Sequence, residues 1–340
     1  MRTLTPDEAR RWRWSSQLLG GSDLSPTQVV DRAIALQGQD LPAVLRAIAI
    51  RSRPGTTIAD VRAAFDRGEL VRSWPVRGTL FATTPAHLTA LLSLTADRIH
   101  RSTIRRREQL GLDDDTLSRA HEVAQETLAG GLTRSELLAL WADAGIEAAG
   151  GRGYHLIFHH AVAGRWHWGA FRGDEQVLTP SPGESRGEDP LPRIIRGLVA
   201  ARGPVTDDDL AWWLKLPKTQ VRKAAASADL DAVSIDGAAA WVADLGADPG
   251  DTGVTLVPGF DEWILGYGDR SLTASAAMQA ALVPGNNGVF RPAVIVDGVT
   301  VGTWRARAKS RRDPSFELVE KVPAATRRRI ERAVEAWPHD

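Results

Sequence analysis

Three histidines form the densest group of potential metal ligands in the sequence. His155, His159 and His160 fall in one short stretch, and two histidines four residues apart on a helix could chelate a metal ion. No cysteine, aspartate or glutamate stands in register with them, so such a site would lack its remaining ligands. We therefore interpret these histidines as a packed or DNA-facing helix surface and expect no bound metal.

Arginine-rich stretches are the second feature that could do chemistry. Guanidinium groups stand beside aromatic or glycine residues in three stretches, 98–108, 150–155 and 304–312. This combination suits contact with phosphate groups. Only five of the 42 basic residues are lysines, and a GC-rich genome would produce the same bias. Each stretch alone is typical of a solvated face, whereas the three together favour nucleic-acid binding.

Several common catalytic motifs are absent from the sequence. It contains no GxxxxGK[ST], no GxGxxG after a strand and no HExxH, which removes support for phosphate cradles, dinucleotide sites and zinc-protease chemistry. It also contains no cysteine, so disulfides, thiolate metal sites and a cysteine nucleophile are excluded. A Ser/His/Asp triad stays open, because its members need not be adjacent in sequence.

Composition and charge describe a folded protein with a basic amino-terminal part. The chain has 340 residues, of which 43% are hydrophobic and 25% charged, enough for two or three domains. Residues 1–112 hold 17 Lys and Arg against 10 Asp and Glu although the whole chain is neutral, which suggests a surface that faces a polyanion. The amino terminus lacks the apolar core of a signal peptide and no stretch approaches 18 apolar residues. We therefore expect a cytoplasmic, nucleoid-associated protein.

The elements that must position these residues begin with four capped helices. Thr5, Ser25, Asp40 and Thr57 each carry N-cap signals ahead of residues with helical periodicity. Two stretches rich in β-branched and aromatic residues then flank a Pro-Val-Arg-Gly turn and predict a hairpin. Helices followed by a two-stranded wing are typical of a winged helix, which we assign to residues 1–112.

The same order of elements recurs twice more along the chain. We predict a second winged helix at 113–180, a linker at 179–192 and a third winged helix at 189–246. Capping boxes that open corresponding helices 73 residues apart are the one sequence trace of this repeat. Residues 251–340 alternate strands with a closing helix and predict a small α+β unit. The expected fold class is mainly α with α+β character.

Four motifs together resemble one known family. They are Gln37-Gly38-Gln39, Arg77-Gly78-Thr79, the stretch LVPGFDEWILGYGDR at 256–270 and VDGVTVGTWR at 296–305. The chain resembles the AlkZ-like winged-helix DNA glycosylases, which include enzymes that unhook DNA crosslinks and enzymes that confer self-resistance to DNA-alkylating natural products. The resemblance implies three tandem winged helices that form a concave DNA-binding surface and no metal or organic cofactor. It also implies hydrolysis of the N-glycosidic bond of N7-alkylguanine in double-stranded DNA.

The resemblance places the catalytic residues at Gln37 and Gln39. The family's middle residue is commonly bulky and apolar, whereas Gly38 stands here. Side chains two positions apart on a continuous helix point about 200° apart, so two cooperating amides need a break in the helix. We expect Gly38 to end the helix that carries Gln37 and Asp40 to cap the next helix. Neutral amides would place a water rather than act as general bases; the alternative is that both amides only satisfy backbone groups.

Position on a wing or on a third helix suggests the residues that contact DNA. We expect DNA to be contacted by Arg72, Arg77, Arg152, His155 and His159. We expect the protein to act as a monomer on duplex DNA that bears alkylated guanine, without contact with a membrane.

Two other functions compete with a glycosylase. Winged helices occur widely in DNA-binding proteins without catalysis, such as transcriptional regulators and lesion-binding factors. A hydrolase acting on a small metabolite would instead need a pocket around Asp261, Glu262 and Asp269. We interpret these acids as turn caps beside Gly266 and Gly268.

Overall fold

The computed structural model describes residues 1–181, 189–245, 249–307 and 313–339. The chain divides into two compact units. Unit 1 comprises Met1–Val61 and Leu191–Asp340, and unit 2 comprises Arg62–Pro190. Within the described ranges, no helix is both long enough and apolar enough to cross a membrane.

The elements follow in chain order. Unit 1 begins with β1 (Arg2–Leu4), α1 (Pro6–Ser16), α2 (Pro26–Ala33), β2 (Ala35–Gln37) and α3 (Leu41–Ala49), and α4 (Ile58–Asp66) leads into unit 2. Unit 2 continues with β3 (Val71–Val76), β4 (Thr79–Thr83), α5 (Pro85–Gln109), α6 (Asp114–Leu128), α7 (Arg134–Asp143), α8 (Arg152–Val162), β5 (Trp166–Arg172) and β6 (Glu175–Pro180). Unit 1 resumes with α9 (Leu191–Arg202), α10 (Asp207–Leu214), α11 (Lys218–Ala226), β7 (Asp231–Ile235), β8 (Ala238–Val242), β9 (Val254–Val257), α12 (Glu262–Leu265), α13 (Ala276–Leu282), a 3₁₀ turn (Pro284–Asn286), β10 (Ala293–Val296), β11 (Val299–Arg305), β12 (Ser315–Leu318) and α14 (Ala324–Glu335).

The helix starts predicted from capping signals are confirmed. The side chains of Thr5, Ser25 and Asp40 each accept a hydrogen bond from the backbone N–H of the third helical residue. Thr206 caps α10 in the same way, within a complete capping box. Each cap satisfies one of the N–H groups that a helix leaves without an intrahelical partner, so these starts are encoded locally.

Unit 1 contains two sheets. In the first, β7 pairs in parallel with β1 and antiparallel with β8, and sequence analysis had not predicted the short strand β1. The second is an antiparallel sheet in the order β12-β11-β10-β9, as expected for the carboxy-terminal α+β unit. Buried side chains of this sheet, including Trp304, pack with Ile330 and Val334 of α14.

Unit 2 places both of its hairpins in one sheet. Its strands run in the order β4-β3-β5-β6, and the two hairpins meet where Arg72 pairs with Trp168. The core beneath them includes Trp141, Trp166 and Leu156, all fully buried. The hairpin turn predicted at residues 75–78 is shorter than expected, because Pro75 and Val76 belong to β3 and Arg77-Gly78 alone makes the turn.

One long helix was missed. The arginine-rich stretch 98–108, which follows the first predicted hairpin, belongs to α5, a helix of 25 residues from Pro85 to Gln109. Thr84 caps it and Pro85 occupies its first position, which is a signal that the sequence does carry.

The division of the chain into three winged helices and a carboxy-terminal unit stays a prediction. The mixture of helices and strands is confirmed. Half of the predicted linker, 182–188, lies outside the described residues, as do 308–312 at the end of the third arginine-rich stretch.

Candidate active site

Gln37 lies at the end of a short strand rather than on a helix. The preceding helix α2 ends at Ala33 because Ile34 leaves the helical conformation with φ 66° and ψ −54°. The next three residues form β2, which ends at Gln37. The expectation that Gly38 ends the helix carrying Gln37 is therefore wrong: the break comes at Ile34, three residues before the glutamine.

The second half of the expected junction is confirmed. The Oδ1 atom of Asp40 accepts a hydrogen bond of 2.9 Å from the N–H of Ala43, so α3 begins directly after the motif. Gln37 is 6% exposed and Gly38 is buried, whereas Gln39 is exposed in a bend. The motif thus lies between β2 and the N-cap of α3, with the side chain of Gln37 buried and that of Gln39 exposed.

A β-branched residue at positive φ makes the turn before Gln37 strained. Isoleucine pays a steric penalty there that glycine would avoid, and such conformations persist only where the surroundings enforce them. The side chain of Ile34 is 3% exposed. A Cβ atom added to Gly197 of α9 would lie 2.5 Å from the Cδ1 atom of Ile34. The end of α2 therefore approaches α9 this closely only because residue 197 is glycine.

The guanidinium group of Arg202 spans this turn. Its Nη1 donates to the carbonyl oxygen of Ala33 at 2.9 Å and its Nη2 to that of Ala35 at 2.7 Å, the two carbonyls on either side of Ile34. The turn is therefore held by two charge-assisted hydrogen bonds from one side chain.

Glu262 completes the arrangement by contacting both Arg202 and Gln37. Its Oε2 accepts from Nε and Nη2 of Arg202 at 3.0 and 2.9 Å and from Nε1 of Trp213 at 3.2 Å. Its Oε1 accepts from the backbone N–H of Gln37 at 3.1 Å. The side chains of Arg202 and Glu262 are 3% and 2% exposed, so the pair forms a buried clamp on the segment that ends in Gln37.

A second buried ion pair lies beside this clamp. Asp261 accepts two hydrogen bonds of 2.8 Å from Arg51 and also caps α12. Gln17 donates to the hydroxyl of Tyr267, which in turn donates to the carbonyl oxygen of Arg202. Burial raises the pKa of Tyr267 to about 12, so this hydroxyl stays protonated and keeps its donor role.

These contacts decide the interpretation of the acids in the 256–270 motif. The turn-cap roles expected for Asp261 and Asp269 agree with the structure, since Asp269 accepts from the N–H of Ser271. Glu262 does not cap a turn, because its carboxylate accepts hydrogen bonds from Arg202, Trp213 and the backbone N–H of Gln37. Sequence analysis missed Glu262 and Arg202 as site residues. The available signal was an acid inside the apolar stretch 256–267, which burial obliges to find a partner.

A small cavity touches the clamp. It measures about 20 Å³ and its polar lining comes from Gln17, Arg32, Arg51, Arg202 and Glu262. Sites that enclose small organic ligands usually measure about 300–1,000 Å³. This cavity beside Glu262 is therefore too small to enclose a nucleobase or a metabolite.

Two of the expected DNA-contacting arginines lie on the first hairpin of unit 2. Arg72 is partly buried in β3 and donates to Oε1 of Gln176 at 2.9 Å. Arg77 occupies the tip of the hairpin, where φ is 56°, and its guanidinium lies 5.2 Å from the ring centre of Phe81. Of the two, Arg77 has the position expected of a wing residue that reaches a ligand.

Arg152 stands at the start of α8 and is engaged with backbone carbonyls. Its Nε donates to the carbonyl oxygen of Glu147 at 2.9 Å and its Nη1 donates to that of Leu110. A guanidinium with five N–H donors can hold both carbonyls and still contact a phosphate. Its observed contacts are structural.

The histidines of α8 join a wider aromatic cluster in unit 2. The ring of His159 lies 4.6 Å from that of His100 and the ring of His160 lies 4.6 Å from that of Trp166. Burial lowers the pKa of His159 to about 4 and that of His160 to about 2, so both are neutral at pH 7. His155 is half-buried, and burial lowers its pKa too. Across the described residues, no three His, Cys, Asp or Glu side chains are grouped to hold a metal ion.

The arginine-rich stretch 98–108 forms the exposed second half of α5. Arg101, Arg105 and Arg106 are exposed along it, and residues three and four positions apart share a helix face. This is the one predicted phosphate-binding stretch that is described throughout and presents several exposed guanidinium groups.

Comparison with known proteins identifies the family. The sequence model described as DNA glycosylase AlkZ-like matches residues 30–338. The chain belongs to the AlkZ-like DNA glycosylase family. Membership, expected from the four motifs, is thereby confirmed.

Two comparisons agree with this family assignment. The chain is 27% identical to the interstrand DNA cross-link repair glycosylase of Streptomyces sahachiroi, over 92% of this chain and 91% of that protein. The solved structure of Streptomyces sahachiroi DNA glycosylase AlkZ shares its fold with a TM-score of 0.80 at 22% identity, covering 98% of this chain and 96% of that one. The AlkZ-like fold is therefore shared along nearly the whole chain.

Proposed function

We propose that this protein is a monofunctional DNA glycosylase that hydrolyses the N-glycosidic bond of N7-alkylguanine in double-stranded DNA. The observation that supports this most is the Gln37-Gly38-Gln39 motif, held at the end of β2 in a chain of the AlkZ-like family. Gln37 and Gln39 are the proposed catalytic residues, and no metal or organic cofactor takes part.

The chemistry suits two neutral amides. N7 alkylation makes the guanine cationic, so it departs from C1′ with the electron pair of the C1′–N9 bond and becomes neutral. The oxygen of a water bonds to C1′ and the water loses one proton to solvent. An amide can accept a hydrogen bond from that water and donate one to it. The expected gain comes from positioning and electrostatic stabilisation of the sugar cation rather than from proton abstraction.

Bulky adducts and interstrand crosslinks belong to the proposed substrate range. The Streptomyces sahachiroi relative is named an interstrand cross-link repair glycosylase. We infer that such lesions are attacked without the ~180° extrusion of the base that is typical of base-acting enzymes, so that adducts linked to a second strand would be accepted.

The proposed DNA contacts lie on unit 2. Arg77 on the hairpin tip and the exposed arginines of α5 would bind phosphate groups, and Arg72, Arg152, His155 and His159 would complete the expected set. Phosphate contacts by arginine make the affinity for undamaged duplex strongly dependent on salt and indifferent to sequence. A transcriptional regulator would instead prefer one sequence.

A panel of duplexes tests this function. Duplexes that carry N7-methylguanine, a bulky N7 adduct or an N7-linked interstrand crosslink are incubated with excess protein and EDTA, and abasic sites are cleaved with alkali. We expect strand breaks with wild type and with Gln125→Ala, a change at an exposed glutamine of α6, and a loss of at least about tenfold in rate, or 1.4 kcal/mol, with Gln37→Ala or Gln39→Ala. Tight DNA binding without breaks on any duplex would instead establish a non-catalytic DNA-binding protein.

A further inference from the structure

The buried pair Arg202 and Glu262 is placed to act on the chemistry of Gln37 without touching the substrate. Arg202 binds the carbonyl oxygens of Ala33 and Ala35, and Glu262 binds both Arg202 and the N–H of Gln37. Together the two side chains therefore grip both ends of the five-residue segment from Ala33 to Gln37.

These hydrogen bonds keep Ile34, which is strained, in its observed conformation. A β-branched residue at φ 66° would relax toward negative φ if its neighbours were released. Such a relaxation rotates the peptide planes that follow and displaces Gln37. The bonds to both flanking carbonyls oppose that rotation directly.

The two carboxylate oxygens of Glu262 accept hydrogen bonds from different groups. Oε2 takes the two bonds from Arg202 and the bond from Trp213, whereas Oε1 takes the bond from Gln37. The guanidinium thus orients the carboxylate, and the carboxylate fixes the backbone of the proposed catalytic glutamine.

We propose that Glu262 and Arg202 are positioning residues, which hold the amide of Gln37 in the orientation needed to place the attacking water. This inference rests on the proposed function. Displacing a positioned group by about 1 Å can cost about 100-fold in rate, so loosening the clamp affects the chemical step. Neither side chain is exposed to contact DNA, so the affinity for DNA stays unchanged.

A third buried ion pair provides the control. Asp209 pairs with Arg13 at 3.6 Å, both side chains being 5% exposed, and accepts a backbone N–H from Gly268 at 3.1 Å. It also accepts from the N–H and the hydroxyl of Thr206 at the start of α10. Asp209→Asn and Glu262→Gln therefore each neutralise one buried carboxylate that holds an arginine and a backbone N–H. Only Glu262 holds Gln37.

The experiment measures base release under single-turnover conditions on duplex carrying N7-methylguanine, together with DNA affinity. We expect Glu262→Gln to lower the rate by about tenfold to 100-fold with unchanged affinity, and Asp209→Asn to lower it less than about threefold. In the Gln37→Ala background, Glu262→Gln should cause no further loss. Equal losses from the two carboxylate variants, or losses from Gln37→Ala and Glu262→Gln that multiply, would overturn the proposal.

Arg202→Lys provides a second variant. Lysine keeps the charge beside Glu262 but cannot hold both carbonyls with a planar fork. We expect the same split between rate and affinity, and wild-type rates in Arg202→Lys would contradict the grip on Ile34.

Hydrogen exchange of the Gln37 amide separates this inference from the proposed function. Its N–H should exchange at least about tenfold faster in Glu262→Gln than in wild type, equivalent to about 1.4 kcal/mol of lost protection, and at an unchanged rate in Asp209→Asn. If wild type releases no base from any duplex, the proposed function fails while this readout still decides the clamp. Equal exchange in all three proteins refutes the clamp whatever the activity.

Discussion

Removing Arg202 should destabilise unit 1 chiefly by stranding the charge of Glu262. The two side chains are 3% and 2% exposed and approach to 2.9 Å. Two unit charges about 4 Å apart attract by about 4 kcal/mol at an effective dielectric constant of about 20. Breaking a buried ion pair by deleting one partner costs about 3–5 kcal/mol. We therefore expect Arg202→Met to lower the free energy of unfolding by about 4 kcal/mol.

The reason for that loss makes a sharper prediction about the double variant. Glu262→Gln alone strands the guanidinium and should cost about 3 kcal/mol. Arg202→Met with Glu262→Gln leaves no unpaired charge, so we expect about 4 kcal/mol for the double variant instead of the sum of about 7 kcal/mol.

Urea unfolding at pH 7 measures this coupling. The 12 tryptophans supply a fluorescence signal, and far-UV circular dichroism followed in parallel establishes that both probes report one transition. The denaturant dependence should be equal among the variants, so that shifts in midpoint report stability. If the double variant loses the sum of the single losses within about 0.5 kcal/mol, the stranded charge is not the cause.

Three further predictions follow from packing, burial and charge. Gly197→Ala in α9 should lower both stability and base release, although alanine ordinarily stabilises a helix by about 1 kcal/mol over glycine, because its Cβ would overlap Ile34; a higher melting temperature would contradict the close approach. Burial lowers the pKa of His160 from 6.5 to about 2. Below about pH 6.5 the unfolded chain therefore binds a proton at this histidine that the folded chain does not bind. The stability that His160 contributes is fully present above that pH and falls by up to about 1.4 kcal/mol per pH unit as the pH drops. His160→Asn should therefore lose less melting temperature than wild type between pH 7.5 and pH 5, and an equal loss would refute this. Arg101→Ala in α5 should weaken binding to any duplex and reduce the slope of log affinity against log salt by about 0.9, whereas Arg328→Ala at an exposed position of α14 should leave the slope unchanged; equal slopes for both variants would remove α5 from the DNA interface.

Local signals account for the parts of the fold that the sequence predicts well. Caps at Thr5, Ser25 and Asp40 depend on a side chain and an N–H three residues away, so neighbouring residues decide them. The turn at Arg77-Gly78 is similarly local, since it needs two residues that tolerate positive φ.

The features that the sequence analysis missed depend on distant residues. Nothing local predicts that Ile34 adopts a left-handed turn, because an isoleucine at that position reads as a continuation of α2. The turn is enforced by Arg202, which lies 168 residues further along the chain. Gly38 is the more obvious helix terminator by propensity, and this is why the break was assigned to it.

The proposed catalytic motif could be recognised in the sequence only through the family resemblance, and the residues that hold it in place could not be recognised at all. Two glutamines around a glycine carry no chemical signature of their own, since amides at a helix junction usually satisfy backbone groups. Glu262 was visible as an acid in an apolar stretch, but its partner could have been any of 37 arginines. Pairing at that distance is a property of the tertiary structure.

Detection of the released base itself decides whether the protein is a glycosylase that depends on Gln37 and Gln39. Wild-type protein in excess is mixed with a duplex that carries one N7-methylguanine, in EDTA, and free N7-methylguanine is quantified by mass spectrometry over time. We expect wild type to release one base per lesion. Gln37→Ala and Gln39→Ala should each release it at least about tenfold more slowly while they bind the duplex as tightly as wild type. Release at the wild-type rate by the variant that carries both Gln37→Ala and Gln39→Ala would contradict the catalytic role proposed for the two glutamines.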